Sequence, residues 1–320
     1  MPAPAPPMAR ASTSGDQPIV AVVGATAAGK TGLSLDLAER LGGEIVNTDA
    51  MQLYRGMDVG TAKLAPADRR GIAHHLLDCL DVEEAASVAE FQGWAREAIA
   101  EIRGRGAVPV LVGGSALYTR AVLDVFEFPG TDETLRVALE GELAEIGVAA
   151  MYARLAVVDP EAAAKIQADN ARRIVRALEV VQLTGRSYTA TLPRLEYAQP
   201  RTVQIGVDID RPTLDIRINA RVEEMFESGL LQEVAGLLDR GLARGRTANR
   251  AIGYREAMAV LAGEMGREEA VVRTQGATRR FARRQDAWFR KDPRIRWVPH
   301  DAPDRVSRAL EHVRALRGGA

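Results

Sequence analysis

Residues 24–31 read Gly-Ala-Thr-Ala-Ala-Gly-Lys-Thr, a G-x-x-x-x-G-K-[ST] loop set between an apolar run (18–23) and a segment of helical period (31–41). Glycines let successive backbone N–H groups converge on a phosphate, and the helix N-terminus adds about half a positive charge. The lysine brings an ammonium to the terminal phosphate oxygens, and the threonine hydroxyl suits Mg²⁺. Gly24, Ala25, Thr26, Ala27, Ala28, Gly29, Lys30 and Thr31 are therefore expected to hold a di- or triphosphate, with Thr31 as the metal ligand.

The rest of the chain fits around that loop. Leu33, Leu37 and Leu41 form one helix face that ends at Gly42-Gly43, and 44–48 is a short strand. Ser87 and Glu90 make a capping box, followed by Phe91, Trp94, Ala98 and Ile102 on one helical face. Residues 108–112 form another apolar strand, closed by Gly113-Gly114. Strands alternating with helices predict a parallel, helix-covered sheet. From 132 to 192 the chain is Ala/Glu/Arg-rich and helical in period; 202–209 returns as a strand, and after Pro212 helix dominates. The expected fold is an α/β, P-loop NTPase-like parallel sheet core with an inserted all-helical subdomain and a helical C-terminal region. Its boundaries are a disordered tail at 1–17, core at 18–130, insertion at 131–198, and core completion with a basic helical region at 199–320.

No apolar stretch among the 320 residues approaches the ~20 needed to span a membrane. Cys79 is the only cysteine, so neither an intramolecular disulfide nor a paired-cysteine zinc site is available, and a reducing, cytoplasmic setting is expected. Net charge is −1, so bulk charge does not announce a nucleic-acid binder. The basic residues are concentrated, however. Residues 271–296 hold Arg273, Arg279, Arg280, Arg283, Arg284, Arg290, Lys291, Arg294 and Arg296 against Asp286 and Asp292, either a solvated face or a ridge that grips phosphates.

Asp49 closes the second strand, within Asn47-Thr48-Asp49-Ala50-Met51-Gln52-Leu53-Tyr54. Ligands of open α/β sheets bind outside the carboxyl ends of the strands, so Asp49 is expected to share a crevice with Lys30 and Ser115. Gln52 and Tyr54 add hydrogen-bonding and stacking groups there. The strand at 110–115 ends in glycines and a hydroxyl rather than a metal-binding carboxylate, which weakens ordinary GTPase and motor ATPase readings. A small-molecule kinase using the same loop and an aspartate remains open, as does an RNA-binding protein switched by a nucleotide.

GATAAGKT (24–31), DAMQLYRGMDVGTAK (49–63), HHLLD (74–78), LVGGSALY (111–118), RRIVRALE (172–179) and AIGYREA (251–257) occur in the order seen in tRNA dimethylallyltransferases, also called tRNA isopentenyltransferases, and the chain resembles that family from about residue 19 to beyond Trp288. The resemblance implies transfer of a dimethylallyl group from dimethylallyl diphosphate to N6 of the adenosine 3′-adjacent to the anticodon, in tRNAs reading codons that begin with U. It implies that the loop and Mg²⁺ hold the donor diphosphate, with Lys30 and Ser115 at the reacting groups and Asp49 as the base. It further implies base contacts from Asp49, Ala50, Met51, Gln52 and Ser115, and tRNA contacts from Arg136, Arg172, Arg173, Ile174, Val175 and Arg176. Arg217 and Arg221, four apart on one helix face, are candidates to reach the diphosphate. The chain departs from the family at Ala25, Ala28, Ala50 and Ser115, and lacks the zinc finger of eukaryotic members. One chain suffices for such a site, so a monomer is expected. His74-His75 reads as a packing or hydrogen-bonding pair, and Phe281 with Trp288 as a packed helix face.

Overall fold

The computed structural model describes residues 17–191 and 194–316. Apart from Gln17, the tail expected at 1–17 lies outside the described residues. β1 (Ile19–Val23) leads through the phosphate loop into α1 (Lys30–Leu41), followed by β2 (Gly43–Asn47), the two-residue β3 (His74–His75), α2 (Val88–Gly104), β4 (Val108–Gly113) and α3 (Ala116–Leu123). Then come α4 (Glu133–Val158), α5 (Pro160–Lys165) and α6 (Ala171–Thr184). The chain closes with β5 (Thr202–Asp208), α7 (Arg211–Glu227), α8 (Leu230–Asp239), α9 (Tyr254–Leu261), α10 (Arg267–Phe289), β6 (Ile295–Pro299) and α11 (Arg305–Ala315). No described helix is long and apolar enough to cross a membrane.

The six strands form one parallel sheet in the order β3-β2-β4-β1-β5-β6. Every residue of β1 is buried, as a central strand with both faces covered requires. On one face Val20 and Val22 pack with Leu33 and Leu37 of α1, Val110 of β4, Ile205 and Val207 of β5, and Leu310 and Val313 of α11. Because all strands run the same way, the chain leaves β1, β2, β4 and β5 at one edge, and that edge carries the phosphate loop, Asp49, Gly114-Ser115 and Asp208.

β6 was not expected within the mostly helical C-terminal region. The arginine-rich stretch stops being helix after Phe289 and returns as a strand beside β5, with Ile295 and Val298 buried and Arg296 and Pro299 exposed. Only a few of its residues are buried, so it carries little of the apolar signal that reveals β1.

Residues 124–198 form a separate compact unit, beginning at Asp124 rather than at 131. Its core joins Leu139, Met151 and Leu155 of α4 to Ala162 of α5 and Ile174, Val175, Ala177 and Leu178 of α6. Glu179 is fully buried there and pairs with Arg136 (2.6 Å) and Arg176 (2.8 Å).

Candidate active site

The loop is pinned from beneath by small side chains. Ala25 packs against Leu214 and Ile218 of α7 and Ala282 of α10, while Ala28 is buried in the sheet core. The backbone turns through left-handed conformations at Ala27 (φ 62°) and Gly29 (φ 101°). Lys30 folds back so that its Nζ donates to the Ala25 carbonyl at 2.7 Å. Burial lowers the Lys30 ammonium to about 8, opposed by the charge of Asp49 and aided by that of Arg221. Thr31 is exposed in the first turn of α1.

Two expected arginines converge on this loop. Arg221 donates from Nη1 to the Thr26 hydroxyl at 3.2 Å and from Nη2 to the Thr61 carbonyl at 3.4 Å. Burial pulls its pKa down and Asp49 pulls it back up. Arg217 is exposed one turn away, and its Nη1 would stand 3.9 Å from a Cβ placed on Gly29. A third cation was not foreseen: Arg305 of α11 brings Nη1 within 4.0 Å of the same point and Nη2 within 3.6 Å of a Cβ on Gly32. Its guanidinium is held by the His300 carbonyl at 3.0 Å. No motif marks Arg305, because only the packing of α11 on α1 brings it there.

Across the crevice, Asp49 caps a short 3₁₀ turn, Ala50–Leu53. Its Oδ1 accepts from the Met51 amide at 3.0 Å, and its own amide donates to Asn47 Oδ1 at 2.8 Å. Asn47 is almost fully buried and anchors to the Leu76 carbonyl, so the carboxylate stands on a braced turn. Ala50, Met51 and Gln52 are half-buried, and Gln52 donates to the Thr61 carbonyl at 3.1 Å. Ser115 is half-buried at the mouth of β4, its hydroxyl facing the Tyr118 amide at 3.5 Å. Tyr54 corrects an expectation. It is fully buried with its hydroxyl on the Glu84 carbonyl, so it is a core residue and not a stacking platform.

The segment after Asp49 is held by charges that the sequence did not reveal. Glu233 of α8 accepts from the backbone N–H groups of Asp58 (2.9 Å), Val59 (2.6 Å) and Gly60 (3.2 Å) and from the Tyr254 hydroxyl (2.5 Å). Lys63 is buried against Asp58 and Asp78 and donates to the Tyr54 carbonyl, which makes it a structural lysine. Gln285 was missed as well. It lies on the buried face of α10 between Ala282 and Phe289; Oε1 accepts from the Thr26 amide at 2.8 Å and Nε2 donates to the Gly114 carbonyl at 2.7 Å. An amide between Ala282 and Phe289 at the spacing of the buried face was the available signal.

In the helical unit, Arg172 and Arg173 are exposed and make no ion pair among the described residues. Arg136 and Arg176 are engaged with Glu179. Ile174 and Val175 are core side chains, which corrects their placement at a tRNA contact: helical period puts them on the face opposite Arg172 and Arg173. On α10, Arg280, Arg283 and Arg284 are exposed, the last over Phe281 at 5.9 Å. Arg290 is committed to Asp208 and to the Trp297 ring, and Arg294 to Asp292. Trp288 is 49% exposed, not packed as expected. His74 bonds the Ile72 carbonyl and His75 bonds Glu44. No group of three or more His, Cys, Asp or Glu that could hold a metal occurs among the described residues.

The sequence matches the IPP transferase family over residues 52–292. It is 67% identical to the tRNA dimethylallyltransferase of a Nocardioides species, over 97% of this chain and 100% of that protein. Among solved structures it is similar to the tRNA isopentenylpyrophosphate transferase of Bacillus halodurans, with 40% identity, 95% and 96% of the two chains covered, and a TM-score of 0.68. A eukaryotic dimethylallyltransferase acting on tRNA has the same fold, with a TM-score of 0.80 at 24% identity, 94% of this chain and 78% of that one covered.

Proposed function

Because the chain belongs to the IPP transferase family, we propose that it transfers a dimethylallyl group from dimethylallyl diphosphate to N6 of the adenosine 3′-adjacent to the anticodon, in tRNAs reading codons that begin with U. The observation that carries this reading is the juxtaposition, at one sheet edge, of a cationic phosphate loop with a braced carboxylate. Lys30, Arg217 and Arg221 surround the loop, and Asp49 interacts electrostatically with Lys30 and Arg221.

In the proposed reaction the C1–O bond of the donor breaks and diphosphate departs. The N6 lone pair forms the new C–N bond, and the proton that N6 must lose goes to the Asp49 carboxylate. Negative charge grows on the departing oxygens, where free loop amides, Lys30 and Arg221, both of which bond the loop itself here, would supply the compensating donors. A stacked adenine cannot enter such a crevice, so the base flips out of the anticodon loop at a cost of a few kcal/mol. Ala50, Met51, Gln52 and Ser115 would receive it, and all four are half-buried.

Mg²⁺ takes few ligands from protein when a phosphate is present and keeps several waters. One exposed hydroxyl, Thr31, in a site without a carboxylate cluster fits that habit. Thr31 would hold the ion, which would supply charge neutralisation for the diphosphate. Arg172 and Arg173 in the helical unit and Arg280, Arg283 and Arg284 on α10 are proposed to meet tRNA phosphates. Loop, carboxylate and Ser115 all come from a single chain, which supports a monomer; a cytoplasmic location fits a tRNA substrate.

The kinase alternative shares the loop but requires a nucleotide donor, and the transferase name of the relatives favours prenyl transfer. The test is incubation with Mg²⁺, unmodified tRNA and either dimethylallyl diphosphate or ATP, followed by mass spectrometry of the digested nucleosides. Adenosine heavier by one dimethylallyl group in the first arm is expected. Phosphate transfer in the second arm with no change in the first would overturn the reading.

A further inference from the structure

Gln285 bridges the phosphate loop and the end of β4. The residue is 6% exposed and both ends of its carboxamide are used: Oε1 on the Thr26 amide of the phosphate loop, Nε2 on the Gly114 carbonyl beside Ser115. β1 and β4 are paired up to Val23 and Gly113, and beyond that last pair the carboxamide ties the loop, on the donor side, to Gly114, on the acceptor side. The fit is tight. A Cβ on Gly114 would come within 2.3 Å of Gln285 Nε2, so only glycine admits the bridge at this point. Thr26 is tied a second time, because Arg221 holds its hydroxyl and also reaches the Thr61 carbonyl that Gln52 shares. Neighbouring Ala282 and Phe289 on the same face of α10 are buried apolar residues, so packing alone asks for an apolar side chain at 285.

We propose that Gln285 is a positioning residue for the transfer step, holding the donor loop in register with the acceptor-side strand end, and this rests on the functional reading above. Gln285 need touch neither substrate. Its effect comes through geometry, where a misplacement of about 1 Å is worth about 10²-fold in rate. Substitution should therefore spare the separate binding of each substrate and impair their reaction. It also follows that the Thr26 amide is engaged within the protein, so the diphosphate draws on the remaining loop amides.

The test uses the full chain with Gln285→Met, close in volume but lacking both hydrogen bonds, and Gln285→Glu, which can still accept from Thr26 but cannot donate to Gly114 unless protonated. Affinity for dimethylallyl diphosphate and for an unmodified anticodon stem-loop is measured separately by calorimetry, and transfer is measured in single turnover with both saturating. Expected are binary affinities within about fivefold of wild type, and a single-turnover rate roughly 10²-fold lower for Gln285→Met and intermediate for Gln285→Glu. A rate within threefold of wild type in either folded variant, or a loss abolished by saturating donor, overturns the positioning role. Should Gln285→Met not fold, the saturated rate of Gln285→Glu decides alone. Absence of transfer by the wild-type protein would instead sink the functional reading, which keeps the two failures distinct.

Discussion

Arg221 Nη1 donates to the Thr26 hydroxyl at 3.2 Å, joining two residues 195 positions apart and turning an ordinary phosphate loop into one with a built-in guanidinium. Arg221→Ala should leave the fold intact and weaken dimethylallyl diphosphate binding by roughly 10²-fold, the usual scale for removing a desolvated charge-assisted contact. Calorimetry with the donor checks this; an unchanged affinity would remove Arg221 from the diphosphate site.

Lys30 gives a pH dependence with a defined sign. Burial holds its ammonium down at about 8, and diphosphate favours the protonated form, so donor affinity should hold below that pH and fall up to about tenfold per unit above it. The same depression opposes folding. Between pH 8 and the ordinary lysine value the unfolded chain binds the extra proton, so stability rises with pH across that window and the full cost is present below it. Lys30→Met should accordingly raise the melting temperature by a few degrees at neutral pH while destroying donor binding. A lower melting temperature would contradict the burial argument.

Asp49→Asn keeps the turn, since the amide oxygen still accepts from Met51, but removes the base. Single-turnover rate should fall about 10²–10⁴-fold with donor affinity little changed. Near-normal turnover would take the proton-accepting role away from Asp49.

The insertion arginines divide into two classes with opposite signatures. Charge reversal at Arg172 and Arg173, exposed and free of ion pairs among the described residues, should weaken tRNA binding and reduce its salt slope by about one per residue. Arg136→Ala should instead lower stability by about 1–3 kcal/mol, because it strips one partner from the fully buried Glu179. Thermal melts and filter binding over a salt series separate the two.

Arg305→Ala should raise the donor Kd by less than Arg221→Ala does, because its guanidinium is partly exposed and shared with the Asp36 carboxylate and the His300 carbonyl. Equal losses in the two variants would contradict that ranking.

The sheet was legible because β1 and β4 are buried on both faces and read as continuous apolar runs, and because glycines mark the loop and the end of β4. The positions of Lys30 and Asp49 beside one another at the sheet edge followed from a loop motif and a strand end, whereas Arg217 and Arg221 were named with the help of the family resemblance. β6 was not legible, since an edge strand with two buried residues carries little periodicity. Arg305, Glu233 and Gln285 reach the site only through tertiary packing of α11, α8 and α10, which no local pattern encodes. Tyr54 and Ile174-Val175 were misassigned for a related reason: a block shared with a family mixes residues that meet substrate with residues that pack beneath them.

Carbon transfer to one nitrogen is what separates the proposed reaction from phosphoryl transfer at the same loop. An anticodon stem-loop RNA carrying adenosine 3′-adjacent to the anticodon, and the same RNA with guanosine there, would each be incubated with Mg²⁺ and dimethylallyl diphosphate labelled at C1. Label is expected in the adenosine RNA only, at N6, with one diphosphate released per label incorporated. Diphosphate release without labelled RNA, or equal labelling of both RNAs, would contradict it.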